Sequence, residues 1–162
     1  MDSDRRKLVR VLRAAYSGEM AAAFAYRAHW KSLGDFSEKE AVYRIEDEEW
    51  AHRREIRRML EALGSRPQKI REMAMWLTGR VIGLGCYFTG RFMPMYFAGL
   101  LEHGNVKEYD AACLYAERLG LKSFEDELRQ MALTERSHEL FFISALEGHR
   151  LTPFMRAVFR WG

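Results

Sequence analysis

The chain has 162 residues, of which 48% are hydrophobic and 30% are charged, and its formal net charge is +3. This composition excludes a disordered chain, a collagen-like repeat and a membrane-embedded bundle, and the small net charge does not call for a nucleic-acid partner. Because there are only 3 Pro, long helices are possible, and we expect one all-α domain over residues 1–162. Cys86 and Cys113 stand alone and no secretory signal is visible, which favours a cytoplasmic protein.

Capping residues and helix breakers predict two long helices in the first part of the chain. The first is expected to run to about Trp30 or Leu33 and the second from about residue 37 to Leu63. The residues that set these limits are Ser3 or Asp4 as the first cap, Gly34 as a stop, Ser37 with Glu40 as a capping box, and Leu63-Gly64 as a stop.

An apolar, glycine-rich crossover follows the break at Arg66-Pro67 and extends from about Lys69 to Pro94. Its uncharged runs are too short for a membrane-spanning helix. The crossover could cover the core of a bundle, or it could present an apolar face to a lipid surface or an apolar substrate. Its glycines could leave room for a substrate against the bundle.

The last part of the chain predicts two further long helices and a short amphipathic one. One helix should run from about Met95 to Leu119, with a break near Gly104-Asn105 as an option. Ser123 should cap the next helix, which ends near Gly148. The short helix follows Pro153.

Two of these helices carry polar residues where apolar residues are expected. In the second helix, Glu49 and His52 interrupt an apolar stripe, and in the last long helix Glu135 and His138 interrupt another at the same spacing. Each helix therefore directs one Glu-x-x-His pair towards the predicted core.

The other two long helices each add one inward glutamate, which is Glu19 in the first helix and Glu102 in the third. Glu102 follows Glu19 by 83 positions and Glu135 follows Glu49 by 86, so the two halves of the chain are pseudo-symmetric. Tyr26 and Tyr109 each follow a glutamate by seven positions. They could hydrogen-bond to the site or carry a radical, or they could be ordinary core tyrosines.

Four buried carboxylates together require positive charge, because like charges a few ångströms apart oppose joint ionisation. Two divalent metals would supply it, and the mixed oxygen and nitrogen donors suit iron or manganese. The alternative is that these Glu and His residues form ion pairs or are partly exposed. His29, His103 and His149 lack a glutamate three positions earlier and are expected at the surface or behind the ligands.

In these features the sequence resembles the ferritin-like superfamily and, within it, the demethoxyubiquinone hydroxylase family. The matching features are Gly18-Glu19, Glu49-x-x-His52, the break at Leu63-Gly64-x-Arg66-Pro67, the glycine-rich crossover, Glu102 with Tyr109, and Glu135-x-x-His138. The resemblance implies a ferritin-like four-helix bundle whose metal ligands are Glu19, Glu49, His52, Glu102, Glu135 and His138.

The resemblance also implies a di-iron monooxygenase that uses O2 and an external electron donor to hydroxylate the ring of a quinone-type lipid. Members of the family associate with membranes, and the basic helices could contact the anionic inner face of the cell membrane. Alternatives with the same ligands are a rubrerythrin-like peroxide reductase, a ferroxidase and an iron-handling protein. A homo-oligomer is compatible with each of these functions.

Overall fold

The computed structural model describes residues 2–162, with side-chain positions from residue 3 onward. Within this range the chain forms six helices and no strand. They are α1 (Asp2–Ser32), α2 (Phe36–Ala62), α3 (Lys69–Cys86), α4 (Phe92–Arg118), α5 (Lys122–Ala145) and α6 (Thr152–Phe159). The predicted all-α fold is therefore confirmed.

Four of the helices form a bundle around a common core. Helix α1 packs on α2 and α4 packs on α5, while contacts between α1 and α4 and between α2 and α5 close the ring. The crossover helix α3 lies on the outside of α1. This is the predicted arrangement of two helix pairs joined by a long crossover, with α6 as the short C-terminal helix.

The predicted stops after α2 and α4 are confirmed by their backbone geometry. Gly64 and Gly120 have φ angles of +61° and +68°, which a residue without a side chain adopts most readily. After Gly64 the amide of Ser65 donates to Leu60 O at 2.8 Å, and after Gly120 the amide of Leu121 donates to Ala116 O at 3.0 Å. Both bonds satisfy carbonyls at the end of the preceding helix.

The predicted caps at the helix starts were wrong in three cases. Helix α1 already includes Ser3 and Asp4, and α5 already includes Ser123, whose hydroxyl donates to Glu127 instead. Asp35, not Ser37, caps α2, because its carboxylate accepts the amide of Glu38 at 3.0 Å. An aspartate two residues earlier thus outcompetes the serine for the free amides of the first turn.

The optional break near Gly104-Asn105 does not occur, and α4 is continuous through both residues. A glycine inside a helix costs only about 1 kcal/mol, which packing of the flanking turns outweighs. The side chain of Asn105 has a role of its own, because it donates to Glu102 Oε2 at 2.9 Å. Pro94 lies in the first turn of α4, where its missing amide leaves no helical bond unmade.

A polar layer divides the apolar core of the bundle into two clusters. One cluster includes Leu12, Ile56 and Leu128, and the other includes Val42, Met95 and Phe142. Tyr109 belongs to the first cluster and Tyr26 to the second. The predicted metal ligands lie between them, and all six are buried.

The crossover helix α3 contacts α1 closely at its glycines, while most of its side chains are exposed. A Cβ at Gly79 would lie 2.3 Å from Ala21 O, so only a glycine allows this close approach of the two helices. Hence Gly79 serves the close packing of α3 on α1. Ile70, Leu77 and Val81 are exposed, which favours the second alternative for the crossover, an apolar outer face. None of the helices within residues 2–162 combines the length and hydropathy of a membrane span, as predicted.

Candidate metal centre

The four bundle helices bring the six predicted ligands into two adjoining groups. In each group, one ligand atom per residue lies within 4.8 Å of those of the other members. The first group consists of Glu19, Glu49, His52 and Glu135, and the second of Glu49, Glu102, Glu135 and His138. Glu49 and Glu135 are common to both, so each could bridge two metal ions while the other four residues bind one ion each.

The polar atoms of this cluster converge without bonding to one another. Among residues 3–162, eight buried side-chain oxygen or nitrogen atoms have no hydrogen-bond partner, and seven of them belong to this cluster. His52 Nδ1 lies 2.8 Å from Glu135 Oε1, yet the two atoms are not aligned as a hydrogen bond. Buried polar groups are nearly always paired, so this concentration of unpaired donor atoms fits a cluster that binds cations.

The charges of the cluster are unfavourable without a cation. Burial raises the pKa of Glu49 and Glu102 well above the usual range of a glutamate, and the neighbouring carboxylates raise both further. Burial also opposes ionisation of Glu135, but His138 and His52 outweigh it and lower the pKa of this carboxyl below its usual value. For His52 and His138, burial lowers the pKa, but the adjacent carboxylates prevail and raise it.

The two tyrosines hydrogen-bond to the cluster in a crossed arrangement. The hydroxyl of Tyr26 on α1 donates to Glu102 Oε1 on α4, and the hydroxyl of Tyr109 on α4 donates to Glu19 Oε1 on α1. The sequence left open whether these tyrosines bond to the site or are ordinary core residues, and the geometry has both of them in hydrogen bonds to the cluster. It could not show that each tyrosine bonds to the glutamate of the other helix, since that depends on how α1 and α4 face each other.

Two residues behind the cluster were not predicted. Glu48 Oε2 lies 2.5 Å from His138 Nε2, the ring nitrogen opposite the one that faces the cluster. Asn105 donates to the oxygen of Glu102 that Tyr26 leaves unused. Glu48 is half exposed and directly precedes Glu49, so nothing in the sequence distinguishes it from a surface residue. Asn105 follows Glu102 by three positions, a helical spacing that could have identified it.

The remaining histidines lie outside the cluster, as expected. His103 Nδ1 is 2.8 Å from Glu139 Oε1, and the ring of His149 stacks on Phe92. His29 is buried and stacks on Tyr26, and its Nε2 is the one unpaired buried atom outside the cluster within residues 3–162.

An apolar cavity of about 530 Å³ lies between α1, α3 and the beginning of α4. Its wall includes Gly18, which directly precedes Glu19, Ala22, which lies one helical turn after Glu19, and Leu101, which directly precedes Glu102. Tyr26 contributes both to this wall and to the hydrogen bonding of Glu102. Except for a few polar side chains such as His29, the lining is apolar, which suits a ligand with a ring or an alkyl chain.

A comparison with known families now bears on this geometry. The family model of ubiquinone biosynthesis protein COQ7 matches residues 6–104, more than half of the chain. The chain belongs to this family. It is the demethoxyubiquinone hydroxylase family that the motifs resemble, a ferritin-like di-iron family of hydroxylases in ubiquinone biosynthesis.

The COQ7 match ends at Gly104, so it includes Glu19, Glu49, His52 and Glu102 but not the last pair of candidate ligands. Glu135 and His138 join the cluster through the geometry of α5 alone. No significant match to a curated protein or to a solved structure was found.

Proposed function

We propose that the protein is a di-iron monooxygenase that hydroxylates the ring of an apolar, quinone-like substrate. The observation that carries the proposal is that Tyr26 lines the apolar cavity and also hydrogen-bonds to Glu102, a member of one of the two four-residue ligand groups that share Glu49 and Glu135. A peroxide reductase or a ferroxidase with the same ligands would not need an apolar cavity of this size next to the metals.

In the proposed centre, Glu19 and His52 would hold one iron and Glu102 and His138 the other. Glu49 and Glu135 would bridge the pair, so that four carboxylates balance the charge of two divalent ions. Manganese could occupy the same donors, because its preferences differ little from those of iron. Since these ligands come from α1, α2, α4 and α5, we treat residues 1–162 as one ferritin-like domain.

When bound, the di-iron pair would activate O2 with two electrons from an external donor, and the substrate would gain one oxygen atom while the other leaves as water. The chain itself holds the ligands and the substrate. Tyr26 and Asn105 orient the carboxylate of Glu102 through one oxygen each. The apolar wall of the cavity would exclude water and hold the ring of the substrate beside Tyr26.

The test of the reaction is aerobic turnover of candidate quinol precursors by iron-reconstituted protein with a reductant. We expect a hydroxylated product, and we expect Glu102→Ala and His138→Ala to lose both iron and product. No product with any candidate at full iron loading would refute the proposal. Rapid consumption of peroxide by the ferrous protein without hydroxylation would favour the peroxide reductase instead.

A matched pair of variants tests the cavity. Thr78 and Thr134 are both helical threonines whose hydroxyls donate to a carbonyl of the preceding turn, but only Thr78 lines the cavity. Thr78→Phe should raise KM for the apolar substrate severalfold at unchanged iron content, whereas Thr134→Phe should leave KM unchanged. Equal KM values for both variants would exclude the cavity as the substrate site.

We further propose that the exposed face of α3 binds an anionic membrane surface from the inner, cytoplasmic side. This face combines exposed apolar side chains with the basic side chain of Arg80, a combination that suits an interfacial helix. Leu77 on α3 is 56% exposed and Leu114 on α4 is 52% exposed, so they form a matched pair. Leu77→Ser should reduce sedimentation with anionic vesicles and Leu114→Ser should not. Equal sedimentation of the two variants would refute the α3 face.

A further inference from the structure

A second cavity differs from the apolar one in being lined mainly by basic and polar residues. It lies between the first part of α1, the connection from α2 to α3, and the start of α3. Its volume is about 500 Å³. Among residues 3–162, five arginines line it, namely Arg5, Arg6, Arg10, Arg13 and Arg71, and no aspartate or glutamate of this range does.

Three of these arginines are held in place by neutral acceptors. Arg5 donates to Leu63 O, Arg13 Nε donates to Arg66 O at 2.9 Å, and Arg71 Nε donates to Ser17 Oγ at 2.8 Å. A carbonyl or a hydroxyl fixes the side chain but does not neutralise its charge. Within residues 3–162, none of these three side chains forms an ion pair with a carboxylate.

The acceptors are themselves fixed by the fold. Leu63 and Arg66 belong to the connection that follows α2, so the bonds of Arg5 and Arg13 tie α1 to this connection. Ser17 is buried and donates to Arg13 O at 3.1 Å and to Ala14 O at 3.0 Å. The guanidinium groups therefore approach one space from two helices, α1 and α3, and their repulsion is a cost of the folded state that a bound anion would relieve.

The start of α3 adds to the positive potential. Gln68, the residue before α3, lines the cavity, and its side chain makes no capping hydrogen bond to the first turn. The backbone amides of this first turn thus receive no acceptor from the side chain of Gln68, and the N-terminal end of α3 attracts negative charge. Planar guanidinium groups that can each donate two parallel bonds match the oxygens of a phosphate particularly well.

We propose that this arginine cavity is a binding site for a phosphate group, either of a free phosphate compound or of a lipid headgroup. The site is separate from the metal cluster and does not depend on the proposed hydroxylase activity. None of its lining residues is a candidate ligand, and it shares no lining residue with the apolar cavity.

Calorimetric titration of the iron-loaded chain at low ionic strength tests the site. The probes are inorganic phosphate and dihexanoyl phosphatidate below its micellar concentration, with iron content measured before and after. We expect saturable binding at one site per chain. Binding of phosphatidate at least tenfold tighter than inorganic phosphate would identify a lipid headgroup as the source, and equal binding would identify a free phosphate compound.

Arg10 offers the cleanest variant, because it is exposed and lines the cavity, and within residues 3–162 its side chain forms no hydrogen bond or ion pair that the substitution would remove. Arg10→Gln should weaken binding about 3- to 10-fold, a typical loss for one charged hydrogen bond, and should leave the melting temperature of the free protein unchanged. The control is Arg150→Gln, an exposed arginine outside the cavity that removes the same charge. Absence of saturable binding to the wild type, or equal weakening by both variants, would overturn the proposal.

Discussion

The two helix pairs supply equivalent groups to the candidate metal centre from different surroundings. Helices α1 and α2 supply Glu19, Glu49 and His52, and helices α4 and α5 supply Glu102, Glu135 and His138. Around these groups the pairs diverge. α3 covers the outside of α1, whereas the C-terminal Trp161 packs against Gly99 of α4. The comparison indicates that both helix pairs must supply the same donor groups, because these groups would bind two like metal ions. The residues that surround the donor groups are free to differ between the two pairs.

The largest expected effect comes from a residue that both ligand groups share. Glu49→Gln should remove both irons and reduce hydroxylation by at least about a thousandfold, since no complete ligand group remains. Glu19→Gln should remove one iron preferentially, because Glu19 belongs to a single group. Metal content per chain after iron reconstitution measures the difference. Equal losses in the two variants would contradict the bridging role of Glu49.

Glu49→Gln should stabilise the metal-free protein, although it abolishes metal binding. The carboxyl of Glu49 is buried among three other carboxylates, and its pKa is raised by burial and by their charge. A neutral amide in this place removes the repulsion, so we expect the metal-free variant to be more stable by about 1–2 kcal/mol. Urea unfolding in the presence of a chelator is the measurement, and a destabilised variant would show that the carboxylates are not under strain.

His29 breaks the similarity of the two halves, because Ala112 stands at the corresponding position of α4. Burial lowers the pKa of His29 from 6.5 to about 4. The unfolded chain therefore takes up a proton near pH 6.5 and the folded chain only near pH 4. The stability that neutral His29 contributes is complete above pH 6.5 and is lost as the pH falls through this window, by about 3 kcal/mol at pH 4.

His29→Gln should abolish this part of the pH dependence, because glutamine does not titrate. The measurement is the difference between the unfolding free energies of wild type and variant at several pH values from 8 to 4. All other titrating groups are common to both proteins, so the difference isolates His29. A difference that stays constant over this range would mean that the imidazole is protonated as easily in the folded chain as in the unfolded chain.

The donor set could be predicted from the sequence because it combines two regularities that a sequence records directly. Glu and His at helical spacing on an apolar stripe must be buried, and their repetition in the second half identifies the partners. The fold followed from glycine stops such as Gly64 and Gly120. The caps were less predictable, since Asp35 and Ser37 compete for the same amides. Glu48 and the two cavities depend on how separate helices meet, which no local pattern encodes.

The crossed tyrosines offer a finer test of the two halves. Tyr26→Phe and Tyr109→Phe each remove one hydroxyl that donates to a carboxylate, so each should destabilise the protein by about 1.5–3 kcal/mol. Only Tyr26 also lines the apolar cavity. We therefore expect Tyr26→Phe to change KM for the substrate and Tyr109→Phe to leave it unchanged. Equal KM changes in the two variants would show that proximity to the cavity has no influence.

The smallest expected effect concerns the residue behind His138. His138 Nδ1 faces the cluster, and Nε2 on the other side of the ring donates a hydrogen bond to Glu48. This bond fixes the orientation of the ring and makes Nδ1 a stronger metal ligand. The corresponding position before Glu135 is Thr134, whose hydroxyl donates to Gln130 O instead. Glu48→Gln should therefore weaken one of the two metal sites by about tenfold and leave the other unchanged.

The control is Asp47→Asn, which removes the same charge from the neighbouring exposed position. Metal titration followed by calorimetry should resolve two unequal sites in the wild type and a wider gap in Glu48→Gln. Two sites that weaken together would mean that Glu48 acts through its charge on the whole cluster and not through the ring of His138.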